Sequence, residues 1–287
     1  MNIFYYLIRV LCFPLASLPL KVLYPLASLI TVLNNLFFKY RKEVVIENLK
    51  NAFPEKTDQE RTRIYKQFFS HFSDTLIETF KMLGNQKGFL PRHVFISNPE
   101  ILDNLYKSGK SVIAVGGHFG NWEWLGTVLG TITPFKTLAV YKPLTNKVID
   151  RMMHSVRSLN NSDLIPMKSI FRTVMSAKQP VLTYLIADQA PQPDHAYWTA
   201  FLNQDTPVFM GPEKIAKATG HAVVFLAMKQ ERRGYYSVHV SEISLEPLTE
   251  PAFNITEKHV RALENCIKED PARWLWSHRR WKHKRSA

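Results

Sequence analysis

Cysteine is scarce in this chain, and a serine-nucleophile motif is missing. The two cysteines, Cys12 and Cys266, are far apart and lie in unlike contexts. They make neither a disulfide framework nor a zinc site, which fits a reducing compartment. The chain contains no G-x-S-x-G segment, the strained turn that exposes the serine of α/β-hydrolases. Internal repeats, low-complexity tracts and an obvious interdomain linker are absent as well.

Acidic residues are also under-represented. The chain has 24 Asp and Glu against 37 Lys and Arg, which gives a formal net charge of +13. Such a surplus predicts an anionic partner, and nucleic acid, anionic lipid and an acidic protein all satisfy it. Hydrophobic residues make up 46% of the 287 residues. This composition excludes a disordered chain and predicts one large core.

An uninterrupted apolar run of bilayer length is missing, although the N-terminus comes close. Residues 3–38 are apolar almost throughout, and the cleanest stretch, residues 22–38, is 17 residues long and ends at a basic cluster at 39–42. That length is at the lower limit for crossing a bilayer. We therefore predict a membrane anchor over residues 1–40, as one span or an interfacial hairpin, with the basic cluster on the cytoplasmic side. A buried pair of core helices is the alternative.

The rest of the chain, residues 41–287, has the pattern of an α/β domain. A capping box at Thr57 and Glu60 opens a long helix with phenylalanines at helical spacing, which ends at Gly84. Beyond residue 99, apolar strand-like runs alternate with helical stretches, which predicts a sheet covered by helices on both faces. The predicted strands are residues 111–115, 136–141, 181–187, 222–228 and 235–243.

One segment, residues 115–124, carries the pattern of a reactive site. A buried strand leads into Gly116–Gly117, which permit a tight turn and close approach of a ligand to the backbone. His118 follows at the carboxyl end of the strand, where open α/β sheets bind their ligands. Glu123 is five residues further on and can meet the imidazole if it lies in the first turn of a helix capped by Asn121. A loop histidine beside a helix-capping glutamate is the alternative.

This segment resembles the H-x-x-x-x-[DE] motif of glycerolipid acyltransferases, in the glutamate-tolerant form of the lipid A late-acyltransferase family. The resemblance covers most of the chain and continues in four further blocks, at 141–157, 187–189, 201–220 and 274–282. The departures are small: Glu123 stands where many relatives carry Asp, and the chain ends soon after the last block. The resemblance implies a glycerolipid-acyltransferase-like mixed sheet behind the membrane anchor.

The resemblance also implies an activity. Members transfer a fatty acyl group directly from a thioester, usually on acyl carrier protein, to an acceptor hydroxyl, without a cofactor. A lipid A precursor is the expected acceptor, with an amino-acid-linked lipid as the alternative. The expected location is the cytoplasmic face of the cell inner membrane, where acyl carrier protein, an anionic lipid and the membrane, not nucleic acid, would meet the basic surface.

The resemblance assigns roles residue by residue. His118 is the predicted general base, and Glu123 is predicted to orient it and to stabilise the imidazolium. The predicted substrate-binding residues are Gly117, Lys142, Arg157, Asp188, His278 and Arg279. The cations and tryptophans of the tail, residues 273–284, suit a lipid headgroup interface.

Two other classes of protein remain open at this stage. A basic membrane- or nucleic-acid-binding protein without catalysis explains the charge, but it has no need of a Gly-Gly-His turn with an acid five residues on. A hydrolase that activates water with His118 and Glu123 is the second. No metal set is predicted, because His195 and His221 have no recognisable ligand spacing to His118 and Asp188, although spacing alone leaves a metal-dependent hydrolase open.

Overall fold

The computed structural model describes residues 3–84, 88–141, 143–158 and 162–285. Lys142, one of the predicted substrate-binding residues, lies outside these ranges. The described helices are α1 (Ile3–Ser17), α2 (Leu20–Leu33), α3 (Lys42–Ala52), α4 (Asp58–Lys81), α5 (Glu100–Lys107), α6 (Trp122–Ile132), α7 (Lys147–Arg157), α8 (Ile170–Met175), α9 (Gly211–Thr219) and α10 (Asn254–Glu269). The strands are β1 (Val94–Ile96), β2 (Val112–Gly116), β3 (Lys136–Tyr141), β4 (Ser162–Pro166), β5 (Val181–Ile186), β6 (Tyr197–Phe201), β7 (Gln204–Val208), β8 (Ala222–Arg232) and β9 (Tyr235–Ser244).

Seven strands form one mixed sheet in the order β1-β9-β8-β2-β5-β3-β4. All neighbouring pairs are parallel except β8 and β9, which are antiparallel. The central strand β2 is buried at every residue, as its unbroken apolar sequence predicts for a strand covered on both faces. Two hydrophobic clusters, one on each face, form the core. The predicted α/β class is confirmed.

The register of the sheet decides where the reactive segment lies. In the parallel pair of β2 and β5, Gly116 lies opposite Ile186. Parallel strands end at the same edge of a sheet, so the residues that follow β2 and β5 leave it side by side. His118 and Asp188 are each two residues beyond this matched pair. The sheet therefore brings them together although they are 70 residues apart in sequence.

The apolar N-terminus forms α1, α2 and a π-helical turn, Asn34–Phe38. The buried face of α2 contains Leu20, Leu23, Tyr24 and Ala27, and this helix packs against α4. Its opposite face is apolar too but exposed, with Val22, Leu26, Leu29 and Val32 at helical spacing, and Leu36 of the π-helical turn continues this face; we call these five residues the outer stripe. The helical stretch Leu20–Phe38 is long and apolar enough to cross a membrane. The anchor itself stays a prediction.

Candidate active site

His118 and Asp188 form a hydrogen-bonded pair at the carboxyl edge of the sheet. The imidazole Nδ1 of His118 lies 2.6 Å from Oδ1 of Asp188. The backbone N–H of His118 donates to Oδ2 of the same carboxylate over 2.8 Å, and the indole Nε1–H of Trp274 donates to Oδ2 over 2.8 Å. The aspartate side chain is only 4% exposed. One buried carboxylate therefore fixes both the backbone and the ring of the histidine.

Glu123 takes a different partner from the one the sequence predicted. Its two carboxylate oxygens accept from Nε and Nη2 of Arg157, at 2.9 and 2.7 Å, in a bidentate ion pair. The prediction that Glu123 orients the imidazole is wrong, because Nδ1 of His118 is already bonded to Asp188. Glu123 lies in the first turn of α6 and Arg157 in the last turn of α7. The pair joins these two helices beside the histidine.

The charges around His118 favour its protonated form. Burial lowers the pKa of the imidazole, but the charge and hydrogen bond of Asp188, with a contribution from the Glu123 carboxylate, raise it above its usual value. Burial conversely raises the pKa of Asp188, and the bonds from His118 and Trp274 more than offset this, so that it falls below its usual range. The aspartate therefore stays ionised and stabilises the imidazolium.

The second ring nitrogen of His118, Nε2, is available for proton transfer. Since Asp188 accepts from Nδ1, hydrogen-bond logic gives the neutral ring its proton on Nδ1 and a lone pair on Nε2. Nε2 lies 3.3 Å from the amide Nε2 of Gln189. The ring of Trp122 packs against the imidazole at 5.4 Å between centroids. A base held in one tautomer with its lone pair at the sheet edge can take a proton from a bound hydroxyl.

Gly117 is a glycine for reasons of packing. A Cβ at this position would lie 2.6 Å from Cδ1 of Leu263 and 3.2 Å from Oδ2 of Asp188. The sequence predicted close approach of a ligand here, but within the structure Leu263 and the Asp188 carboxylate occupy that space. A side chain at Gly117 would displace Leu263 and crowd the Asp188 carboxylate.

The C-terminal tail holds the reactive loop in place. The backbone N–H of Gly120 donates to the carbonyl of Arg273, and that of Leu275 donates to the carbonyl of His118, both over 3.1 Å. Trp274 and Trp276 are 2% and 0% exposed. The prediction that these tail tryptophans face lipid headgroups is wrong, because they pack in the core, where Trp274 also supplies a hydrogen bond to the site.

The remaining tail residues differ in burial. His278 is half-buried, and burial with the nearby cations lowers its pKa to about 4 even though Asp188 opposes the shift. Arg279 is exposed at the surface. Arg280 is buried instead, with Nη2 donating to the carbonyl of Pro207 over 2.7 Å. The sequence singled out Arg279 as a binding residue and placed Arg280 among the tail cations at a headgroup interface; for Arg280 that placement is wrong, because its side chain is buried.

A small cavity of about 20 Å³ lies beside the Asp188 carboxylate. Its walls are mostly apolar, but Arg280 and His259 also line it. Within the part of the chain that the structure describes, Nε and Nη1 of Arg280 and Nε2 of His259 have no hydrogen-bond partner. A cavity of this size, with these unpartnered polar atoms on its wall, has room for about one water molecule.

Helix α4 supplies two buried polar contacts that sequence reasoning missed. His71 Nε2 lies 3.1 Å from the carbonyl of Gly120, and Glu78 accepts a 2.6 Å hydrogen bond from the side chain of Asn121. Both residues are buried on α4, the long helix for which the sequence singled out only the phenylalanines. The available signal was a histidine and a glutamate seven residues apart, hence on one face, inside an apolar stripe.

Across the described ranges, no group of three or more His, Cys, Asp and Glu side chains is placed to hold a metal ion. The His118 ring and the Asp188 carboxylate are hydrogen-bonded to each other, and the carboxylate also accepts from two protein N–H groups.

Comparison with known proteins matches nearly the whole chain. The sequence model of the family described as bacterial lipid A biosynthesis acyltransferase matches residues 2–283. The chain is 23% identical over 269 residues to a lipid A biosynthesis lauroyltransferase of Escherichia coli (strain K12), covering 93% of this chain and 87% of that protein. It is 25% identical over 277 residues to a lipid A biosynthesis palmitoleoyltransferase of the same organism, with the same coverage.

Proposed function

The chain belongs to the bacterial lipid A biosynthesis acyltransferase family and is an acyltransferase, and from this membership we propose that it transfers a fatty acyl chain from a thioester to a hydroxyl of a lipid A precursor. The observation that carries the proposal is the His118–Asp188 pair, with a 2.6 Å hydrogen bond on Nδ1 and the lone pair of Nε2 at the sheet edge. This arrangement supplies the base that direct acyl transfer needs.

The proposed reaction needs no acyl-enzyme intermediate. Nε2 of His118 takes the proton of the acceptor hydroxyl as its oxygen attacks the thioester carbonyl. The C–S bond then breaks, and the imidazolium returns the proton to the thiolate. Asp188 stabilises the imidazolium between these steps. Burial raises the pKa of the Cys266 thiol to about 11, which makes it a poor nucleophile.

We further propose that acyl carrier protein is the donor and that phosphates of the acceptor meet cations around the site. The formal charge of +13 supports an acidic donor protein. Glu123 holds the Arg157 guanidinium beside His118. We propose that an acceptor phosphate binds this guanidinium, whose position Glu123 fixes. Lys142, His278 and Arg279 remain proposed substrate residues on the resemblance alone.

The N-terminal helices support a place at the membrane surface. Besides the outer stripe of α2, helix α1 also exposes apolar residues, such as Leu7, Val10 and Leu11. Exposed apolar surface of this extent is costly in water and is typical of a membrane contact. We propose that residues 1–40 anchor the protein at the cytoplasmic face of the inner membrane.

The decisive experiment measures acyl transfer by purified, membrane-reconstituted protein. Acyl carrier protein thioester would be supplied with a phosphorylated lipid A precursor or, separately, with an amino-acid-linked lipid, and products would be identified by mass spectrometry. We expect transfer to the lipid A precursor and a loss on the order of 10²-fold or more in His118→Ala, because the base is removed. His239→Ala, an exposed histidine on β9, is the matched control.

Three results would contradict the proposal. Near-normal turnover by His118→Ala would remove the base from the mechanism. Transfer only to the amino-acid-linked lipid would show that the acceptor is that lipid and not a lipid A precursor. Thioester consumption that is independent of any acceptor would identify a hydrolase.

A further inference from the structure

A buried carboxylate behind the reactive loop, Glu78, joins four elements of the fold. Its Oε1 accepts from the hydroxyl of Tyr24 on α2 over 2.7 Å. Its Oε2 accepts from Nδ2 of Asn121 over 2.6 Å and from the hydroxyl of Tyr236 on β9 over 2.7 Å. The backbone carbonyl of the same residue accepts from the indole N–H of Trp124 over 2.9 Å.

This carboxylate is unusual for a core position. Glu78 is 0% exposed, and burial raises its pKa to about 7 against the opposing effect of its three donors. Among the described residues no basic side chain bonds to it; Arg233 on the same side pairs with Asp74 instead. Burying an acid without a countercharge is costly, and an apolar core residue avoids that cost. The three converging donors indicate that the carboxylate serves to hold them.

The contact to Asn121 reaches the reactive segment directly. Asn121 is the N-cap of α6: its Oδ1 accepts from the backbone N–H of Trp124 over 3.0 Å. An asparagine amide has one acceptor end and one donor end. Since Glu78 binds only the donor end, it turns the acceptor end toward the helix. The start of α6, and with it the Glu123–Arg157 pair, is thereby fixed.

The contact to Tyr24 reaches the apolar N-terminus. Tyr24 is on the buried face of α2, the helix whose outer stripe is proposed to contact lipid. The guanidinium of Arg233 covers its ring at 4.1 Å. A single carboxylate thus lies between α2, the proposed membrane helix, and α6, the helix that begins four residues after His118.

We propose that Glu78 is a positioning residue for acyl transfer, which couples the docking of α2 through Tyr24 to the N-terminus of α6 through Asn121. The inference rests on the proposed function, since it names what holds the reactive loop of that same site. When α2 is seated, the amide of Asn121 is oriented and Glu123 and Arg157 are in place. When α2 is displaced, Glu78 loses a donor and the loop loosens.

The coupling between Glu78 and Asn121 is tested by reversing the hydrogen bond. Glu78→Gln and Asn121→Asp are made singly and together in the full chain. Glu78→Gln turns an amide N–H toward donors, and Asn121→Asp sets two carboxylates against each other. The double variant restores an amide–carboxylate pair with the direction reversed, while Asp at 121 still caps α6.

The readouts are kcat and KM for the thioester, together with the melting temperature. We expect each single variant to lose between about ten- and a hundredfold in kcat, the range for a small misplacement of catalytic groups, with KM little changed. The double variant is expected to recover most of the loss. Wild-type kcat in either single variant, or a double variant no better than the poorer single one, overturns the proposal.

The link to α2 is tested by Tyr24→Phe, which removes only the hydroxyl. Thr31→Val is the matched control, because it removes a hydroxyl from the same helix that bonds to backbone carbonyls of α2 and α4 but not to Glu78. Hydrogen exchange of the backbone at residues 117–125 is measured beside kcat. We expect faster exchange and lower kcat in Tyr24→Phe only. Equal behaviour of the two variants overturns the link.

Hydrogen exchange separates this inference from the proposed function. If the wild type shows no acyl transfer, the proposed function fails, and exchange at residues 117–125 still decides whether Glu78 and Tyr24 hold the loop. If transfer is intact and exchange is unchanged in Glu78→Gln and Tyr24→Phe, the positioning role fails alone.

Discussion

At the scale of the residue, Asp188 does three things with one carboxylate. It fixes the His118 ring through Nδ1, fixes the backbone of the same residue, and takes the indole N–H of Trp274. The last contact ties the C-terminal tail to the base. Because the carboxylate accepts three hydrogen bonds, which outweigh the effect of its burial, it remains charged over the whole range in which the imidazole titrates.

The pH dependence of Asp188→Asn tests this role. The base acts in its neutral form, so kcat/KM rises with pH through the pKa of His118. The carboxylate raises that pKa, and its removal lowers it. We expect the acidic limb of the pH–rate profile to move to lower pH, and the plateau to fall on the order of 10²-fold or more because the tautomer is no longer fixed.

The matched control for this experiment is Asp205→Asn, which changes an exposed aspartate on β7. It should leave both the limb and the plateau in place. An unshifted limb in Asp188→Asn would show that the rate does not report the titration of His118.

The Glu123–Arg157 pair makes a separate prediction. Glu123→Gln leaves one oxygen to accept from the guanidinium and removes the charge of the pair, so turnover should fall strongly. Glu123→Asp keeps the charge with a shorter reach and should retain part of the activity. Because both residues act through one contact, Glu123→Gln and Arg157→Gln combined should cost much less than the sum of the singles in ΔΔG‡. Additive effects would show that they act independently.

At the scale of the element, α2 is apolar on two faces that have different tasks. One face packs on α4 and places Tyr24 against Glu78, while the outer stripe is exposed.

Helix α7 was not predicted from the sequence, although Asn146 caps it by accepting from the backbone N–H groups of Val148 and Ile149. Its amphipathic pattern is short and flanked by polar residues, so the sequence has no apolar run there that indicates a helix.

The proposed membrane anchor is tested through the outer stripe. Full-length protein should pellet with membranes, and high salt should not release it, because salt screens charge but does not dissolve apolar contacts. Leu29→Asp with Leu36→Asp should shift the protein into the soluble fraction. Leu248→Asp, an equally exposed leucine outside the N-terminal helices, is the control. Release of the unaltered chain by salt alone would contradict the anchor.

At the scale of the whole molecule, the formal charge of +13 bears on the choice of partner. Charges of opposite sign steer encounter over about one Debye length, roughly 8 Å at physiological salt. If acyl carrier protein is the donor, kcat/KM for the carrier thioester should fall steeply as salt rises. A small acyl thioester without the carrier should give a much flatter dependence. Equal slopes for the two donors would contradict the assignment of the carrier as partner.

Local sequence determined local structure in this protein. The capping box at Thr57 and Glu60 is present as predicted, β3 has the predicted bounds, and Asn121 caps α6. These features depend on residues within a few positions of one another, so propensity and hydrogen-bond chemistry were enough. The same reasoning placed His118 at the end of a central strand and identified the segment that resembles the family motif.

Tertiary structure decided which side chains meet. The partner of His118, Asp188, is 70 residues away and follows β5; the two meet because β2 and β5 pair in parallel with Gly116 opposite Ile186. The sequence offered Glu123 as a nearer acid, but the pairing of α6 with α7 gives that carboxylate to Arg157. Glu78 also reaches the site only because α4 packs behind the loop. Strand register and helix packing are long-range outcomes, and the spacing of residues along one chain does not encode them.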